Sequence, residues 1–294
     1  MRMSLIRKLA AIPAALLLFG AAATVASPAG AAIEHRRGPA PSEQSVLAAN
    51  GPFSHSTFAV SDAASAKFGK GTIYYPNDTS QGTFGGVAIS PGYTSTEPHI
   101  AWLGTRLAAH GFVTITITTN SLYDNPTERG QQLLAALDYL ANNAPLAIRQ
   151  RLDTSRMGVV GHSMGGGGSL YAVWNRPALK AAVPLAPYHT IKNWSGIKTP
   201  TMIIGGSADG VAPVEEHSER FYSSMTYARE RAYAELEGAN HSGSFLFEDH
   251  PIIGKFTVAW LKRFIDGDTR YDQFLCPPPT GAYLTEYRAS CPHA

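Results

Sequence analysis

The chain has 294 residues, 44% hydrophobic and 16% charged, enough apolar content for one large core and too much for a disordered chain. Its formal net charge of +2 rests on the N-terminus, since without Arg2, Arg7 and Lys8 there remain 21 basic residues against 22 acidic ones. A nearly neutral remainder, with no Lys/Arg run interleaved with aromatics, excludes a nucleic-acid-binding surface as the organising feature.

Taken in order, the basic start is followed by an Ala/Leu-rich run over residues 9–26 and then small residues through Ala32. This pattern makes residues 1–31 a secretory signal peptide, cleaved between about 26 and 32. An uncleaved membrane anchor is the competing reading. Pro13, Gly20 and the weak hydropathy of alanine count against it, so stable membrane insertion is not expected. Residues 32–50 are polar and rich in Pro and Ala, and are expected to form a flexible leader. Residues 51–294 are expected to fold as a single domain.

Within that domain, β-type runs stand at residues 56–60, 71–75 and 85–90, the last nearly all apolar. An amphipathic stretch, 99–109, leads to a β-branched run at 112–118, and leucines 133, 134, 137 and 140 recur at helical spacing within 127–141. Further strands are expected at 156–160, 181–185, 201–205 and 231–236, with helices after residue 169, from 213 to about 226 and from 251 to about 264. Strands separated by helices of this length need right-handed crossovers, giving an α/β fold with a mainly parallel central sheet and helices on both faces. Only two cysteines occur, Cys276 and Cys291. In an exported chain they are expected to pair, closing a short loop for about 3 kcal/mol. A zinc site or a cysteine nucleophile would need partners that are not visible, and neither a metal nor a cofactor is expected.

The chemistry centres on Gly161-His162-Ser163-Met164-Gly165, which lies between a strand and a helix and continues as Gly166, Gly167 and Gly168. That context makes it a nucleophile elbow, where small residues on both sides let a strained serine stand clear of the chain. A serine hydroxyl is a weak nucleophile at neutral pH and needs a histidine base held by a carboxylate. His241, in the loop after the 231–236 strand, is the base expected from chain order. Asp209, flanked by small residues after the 201–205 strand, is the expected acid, with helix capping as its alternative. His250 begins the last helix, His189 and His217 come too early in the chain, and His162 is expected to pack behind the elbow. His35, His55, His99, His110 and His293 have no partner pattern and are expected at the solvent. The oxyanion of an attacked ester needs two donors. The N–H of Met164 supplies one and that of Tyr93, in the turn Pro91-Gly92-Tyr93-Thr94, the other, unless Tyr93 is only a turn aromatic.

Several separated stretches then carry a resemblance: Ile89-Ser90-Pro91-Gly92-Tyr93-Thr94, Trp102-Leu103-Gly104, His110-Gly111-Phe112-Val113, the elbow, Lys180-Ala181-Ala182-Val183-Pro184-Leu185 and Asp268-Thr269-Arg270-Tyr271. Together they resemble the actinobacterial cutinases and polyester (PET) hydrolases from Gly51 onward. The resemblance implies a lidless α/β-hydrolase acting on cutin-like, short-chain and synthetic polyesters, with Ser163, Asp209 and His241 as triad and Tyr93 and Met164 as oxyanion donors. Only residues 186–199 separate two consecutive strands where many lipases insert a cap. Trp194 and Val211 match groove positions of the family, with ordinary loop packing as their alternative. Tyr188 stands where the family usually has tryptophan, Ser242 where it commonly has phenylalanine, and Ser207 where calcium-binding members have an acid. The expected partner is a polymeric or small ester substrate, and the chain is expected to be a monomer. A lipase or esterase for small soluble or emulsified esters is the alternative within enzymes. A non-catalytic polymer-binding relative is the alternative outside them.

Overall fold

Runs of β-branched and apolar residues bounded by Gly, Pro and Asp become strands in the computed structural model, which describes residues 35–65 and 67–294. The expected signal peptide and its cleavage region lie outside the described residues. The strands are β1 (His55–Val60), β2 (Gly71–Pro76), β3 (Phe84–Ser90), β4 (Phe112–Ile117), β5 (Leu152–His162), β6 (Ala181–Leu185), β7 (Thr201–Gly206), β8 (Arg231–Leu236) and β9 (Leu284–Ala289). The helices are α1 (Glu43–Leu47), α2 (Asp62–Ser65), α3 (Ala101–Ala109), α4 (Pro126–Asn142), α5 (Leu146–Arg149), α6 (Met164–Asn175), α7 (Ser218–Ser224) and α8 (Pro251–Ile265).

The strands form one sheet in the order β1-β2-β4-β3-β5-β6-β7-β8-β9. From β4 across to β8 every neighbouring pair is parallel, as helical crossovers require. The flanking pairs β1–β2, β2–β4 and β8–β9 are antiparallel. Alternation along a strand sends Val159 of β5 to one face and Val160 to the other. On the first face Leu133, Leu137 and Leu140 of α4 pack with Leu170 of α6 and Phe221 of α7. On the second, Leu103 and Leu107 of α3 pack with Ile253, Phe256 and Trp260 of α8.

Three differences from the sequence reading have physical causes. The helix expected from residue 213 shortens to Ser218–Ser224, because residues 213–217 form turns in which Glu216 and His217 N–H donate to the Pro213 carbonyl. The edge strand β9 was not anticipated, since its residues are only half-buried and carry no continuous apolar run. It pairs with β8, and the Cys276–Cys291 disulfide joins the chain after α8 to the end of β9.

The third difference corrects the flexible leader: from residue 35 onward this segment is packed on the domain. Ser42 caps α1 in a reciprocal capping box with Ser45, and Val46 is buried among α3 and α8 side chains. His35 N–H donates to the Asp266 carbonyl at 2.7 Å, the Arg37 guanidinium to Thr83 O at 3.2 Å, and the buried Arg106 guanidinium to Val46 O at 2.6 Å. Lys255 pairs with Glu43. Composition alone marks these residues as polar linker, but their few apolar and charged side chains find fitted partners. A chain beginning at residue 51 should therefore unfold with about 3 kcal/mol less free energy than one beginning at residue 33. Equal urea midpoints for the two would show the segment to be energetically silent.

Candidate active site

Strand β5 runs directly into the elbow. Ser163 has φ 56° and ψ −120°, a conformation that residues with a side chain rarely adopt. A Cβ on Gly161 would lie 2.2 Å from the Gly165 carbonyl oxygen, and one on Gly165 would lie 2.3 Å from that of Ser90. Only glycine permits so close a turn against β3. Three backbone hydrogen bonds hold it: Ser163 N–H donates to Leu185 O at 2.9 Å, while Ser163 O accepts from Gly167 N at 3.0 Å and Tyr188 N at 2.8 Å.

The loops after β7 and β8 bring the other two expected residues to this serine. His241 Nε2 lies 2.8 Å from Ser163 Oγ, and Nδ1 lies 2.7 Å from Asp209 Oδ2. All three side chains are buried. An ionised carboxylate only accepts, so the proton of neutral His241 sits on Nδ1 and Nε2 is left to accept from the serine hydroxyl. The other oxygen of Asp209 accepts from the N–H groups of Val211 at 2.9 Å and Ala212 at 2.8 Å. Burial acts to raise the Asp209 carboxyl, but the bonds from His241, Ala212 and Val211 outweigh it and leave its pKa below the usual carboxylate range.

Two further features complete the centre. Gly92 packs against Ser163 so closely that a Cβ there would lie 2.7 Å from Ser163 Cβ, which sets the Tyr93 turn directly beside the hydroxyl. Met164 opens α6, where helix geometry leaves the first N–H groups without intrahelical partners. His162 does more than pack behind the elbow. Its Nε2 donates to the backbone carbonyl of His241 at 2.7 Å, bracing the loop that carries this second histidine.

Comparison with known proteins agrees with this architecture. A family profile described as PETase, PET hydrolase-like, matches residues 29–292. The chain belongs to the PET hydrolase-like family. It is therefore an α/β-hydrolase and an ester hydrolase. Among relatives, it is 49% identical to a bis(hydroxyethyl) terephthalate hydrolase of Streptomyces coelicolor over 98% of this chain and 92% of that one. It is 51% identical to the cutinase cut1 of Thermobifida fusca, over 92% of this chain and 85% of the relative. With cutinase 2 of Thermobifida cellulosilytica it shares 51% identity over 88% of this chain and 98% of the relative.

In this PET hydrolase-like chain the rim of the site departs from the sequence reading at one residue. Trp194, expected in the groove, is 0% exposed and packs edge-on against His189 and Trp174 within the core. Its indole is too large and apolar for a short loop to leave in water when a cavity between α6 and α7 accepts it. Val211, by contrast, is 63% exposed two residues after Asp209. Tyr188 is half-buried, with its ring stacked on His217 at 4.7 Å between centroids. Ser242 is exposed beside His241. Ser207 is exposed too, and its hydroxyl accepts from Gly238 N at 2.8 Å. A neutral oxygen so engaged does not fit the carboxylate-rich set that calcium takes. No helix among the described residues is long and apolar enough to cross a membrane.

Sequence reasoning passed over Tyr123 and Arg129. Tyr123 is an isolated aromatic in a polar loop beyond the carboxyl end of a parallel strand, which is a usable signal. Arg129 lies inside a helical repeat that gave no reason to read it as buried. His110, expected at the solvent, is also buried, donating from Nε2 to Ala48 O at 3.2 Å.

Two measurements test these placements. Trp194→Ala should destabilise the fold by about 3–5 kcal/mol, read by urea unfolding, whereas a groove role would change KM at unchanged stability. The second concerns pH. Burial lowers the pKa of His162 to about 3 and those of His110, His189 and His217 to about 4, with His241 adding to the effect at His162 and Lys192 at His189 and His217. These imidazoles stay neutral when folded but take up protons near the ordinary imidazole value of 6.5 once unfolded. The unfolded state thus binds more protons between about pH 6.5 and 4, so their stabilisation is complete above that window and lost as pH falls through it. The depressed Asp209 carboxyl acts in the same direction at lower pH, its stabilisation being lost only as pH falls below its ordinary value of 3.8. Urea midpoints should fall steadily from pH 6.5 to 4, and a constant midpoint would contradict the burial of these rings.

Proposed function

We propose that this chain is a secreted serine carboxylic-ester hydrolase that cleaves polyesters, cutin-like or terephthalate-based, and short-chain esters through an acyl-enzyme on Ser163. The observation that carries the proposal is the continuous hydrogen-bonded line from Asp209 through His241 to Ser163 Oγ. Ser163 attacks the ester carbonyl while Nε2 of His241 takes its proton, and Asp209 stabilises the imidazolium. The oxyanion is held by the N–H groups of Met164 and Tyr93. His241 then returns the proton to the departing alcohol, and water repeats the cycle on the acyl-enzyme to release the acid.

Polyester is the substrate class that fits the rim. Residues 186–200, between β6 and β7, carry no helix or strand that would cap the serine. Tyr93 and Val211 stand exposed around it, an apolar border suited to an insoluble chain. The names of the relatives, cutinase and bis(hydroxyethyl) terephthalate hydrolase, point the same way. Secretion is supported by the N-terminal charge and apolar pattern together with the disulfide, which belongs to an oxidising compartment.

The test uses the Ser163→Ala variant beside the native enzyme on a short ester and on a polyester film. Native enzyme should release soluble acid from both and be labelled by a fluorophosphonate. The variant should lose roughly 10⁴-fold or more in kcat with an unchanged thermal midpoint. Turnover retained by the variant would remove Ser163 from the mechanism, and an untouched film would confine the activity to small esters.

A further inference from the structure

The last residues of the chain gather donor atoms that the proposed ester chemistry does not use. The sulfurs of Cys276 and Cys291 and a ring nitrogen of His293 all lie within 4.8 Å of one another. Sequence reading found no third ligand beside the two cysteines and placed His293 at the solvent. Its imidazole is instead fully buried, edge-on to Trp260 and Phe264 with ring centroids 5.4 and 5.3 Å away.

That ring is held by one nitrogen only. Glu230 Oε2 lies 2.7 Å from Nδ1, and because a carboxylate only accepts, Nδ1 carries the proton and donates it. The other oxygen of Glu230 accepts from the Ala294 N–H at 2.8 Å, which fixes the carboxylate in turn. In the neutral ring Nε2 then holds a lone pair, buried and without a hydrogen-bond partner. A carboxylate on one ring nitrogen with the other left open is the arrangement found around histidines that ligate metals.

In the oxidised protein both sulfurs are tied up in the Cys276–Cys291 disulfide, and the thiolate is the form that binds a metal. Reduction gives two thiols beside the open imidazole nitrogen. The cysteine Cα atoms are 5.7 Å apart, close enough for side-chain rotation to set the sulfurs at the roughly 3.8 Å that a tetrahedral ion with bonds of about 2.3 Å requires. Two thiolates and an imidazole select zinc over calcium or magnesium, which take oxygen ligands.

We propose that Cys276, Cys291 and His293 form a zinc site in the reduced protein, with Glu230 orienting the histidine. Cys291 is exposed, so solvent reaches the fourth coordination position. The chemistry balances with a phosphine as reductant: it gives up two electrons and takes an oxygen from water, and the disulfide becomes two thiols. Zn²⁺ then displaces the two thiol protons as two zinc–sulfur bonds form. The chain after α8 is thereby held to the end of β9 by metal in the state that precedes disulfide formation, and by a covalent bond after it.

The test uses the full chain, reduced with tris(2-carboxyethyl)phosphine, freed of reductant under argon and titrated first with Co²⁺ as a spectroscopic probe and then with Zn²⁺. Reduced native protein should develop the near-ultraviolet thiolate-to-cobalt band and the intense visible bands of a tetrahedral ion, and Zn²⁺ should bleach both. The disulfide form should show neither. Glu230→Gln should weaken Co²⁺ binding about 10-fold, and His293→Ala, which removes a ligand, by about 100-fold or more. Zn²⁺ should also raise the thermal midpoint of the reduced protein and leave that of the disulfide form unchanged. Absence of the bands in reduced native protein would overturn the site. So would native affinity in His293→Ala, which would show the thiols binding metal alone, or an unshifted midpoint, which would place the binding outside the folded tail.

Discussion

The backbone of Ser163 is the constraint on which the site depends. Its positive φ costs energy that only surrounding structure can offset, and the offset comes from three adjacent parallel strands ending at one level. Leu185 at the end of β6 accepts its N–H, Ser90 at the end of β3 crowds Gly165, and the first turn of α6 takes its carbonyl. Gly161 and Gly165 are small because the strands are close, and the strands are close because β3, β5 and β6 are neighbours at the sheet centre. The strain at one residue is thus a product of sheet order.

Around that serine the electrostatics are built by exclusion of water. Asp209 remains a carboxylate because three donors outweigh the cost of burying it, and its fixed acceptor sets the tautomer of His241. His162 supports the same loop through a backbone carbonyl, which accepts whether or not His241 is protonated. Such a brace does not compete with the proton transfers proposed at Nε2. Lys192, whose ammonium lies 3.1 Å from His217 Nδ1, further disfavours a charge on the ring that stacks with Tyr188. The low polarity that favours the proposed chemistry also leaves the fold with neutral imidazoles that acid can charge.

The rim is governed by a different principle, the placement of mobile chemistry on an immobile base. Buried charged groups that touch no reacting atom hold the loops and the N-terminal segment: Arg129 under the Tyr93 and Tyr123 turns, Arg106 under Val46, and Asp266 between Arg156 and Lys262. Each cation donates to carbonyls or carboxylates that would otherwise be orphaned, and this pairing makes its burial tolerable. Tyr188, Ser207 and Ser242 sit at the margins of this frame and leave the line from Asp209 to Ser163 Oγ intact.

Much of this was legible in residue order. The alternation of strand and helix, the elbow, and the confinement of functional loops to strand carboxyl ends placed Ser163, Asp209 and His241 in sequence before any distance was known. They were legible because each rests on local rules: strand and helix periodicity, glycine's freedom, and the order in which loops follow strands. Trp194, His110, Arg129 and the segment from residue 35 were not. Their positions depend on which distant surface offers a cavity or an unpaired carbonyl, and a linear pattern does not record that. Sequence by itself determined the fold class and named the three residues that the structure brings together at Ser163. Tertiary structure alone decided which aromatics stay at the surface and which fill the core, because burial is settled by the fit between elements far apart in the chain.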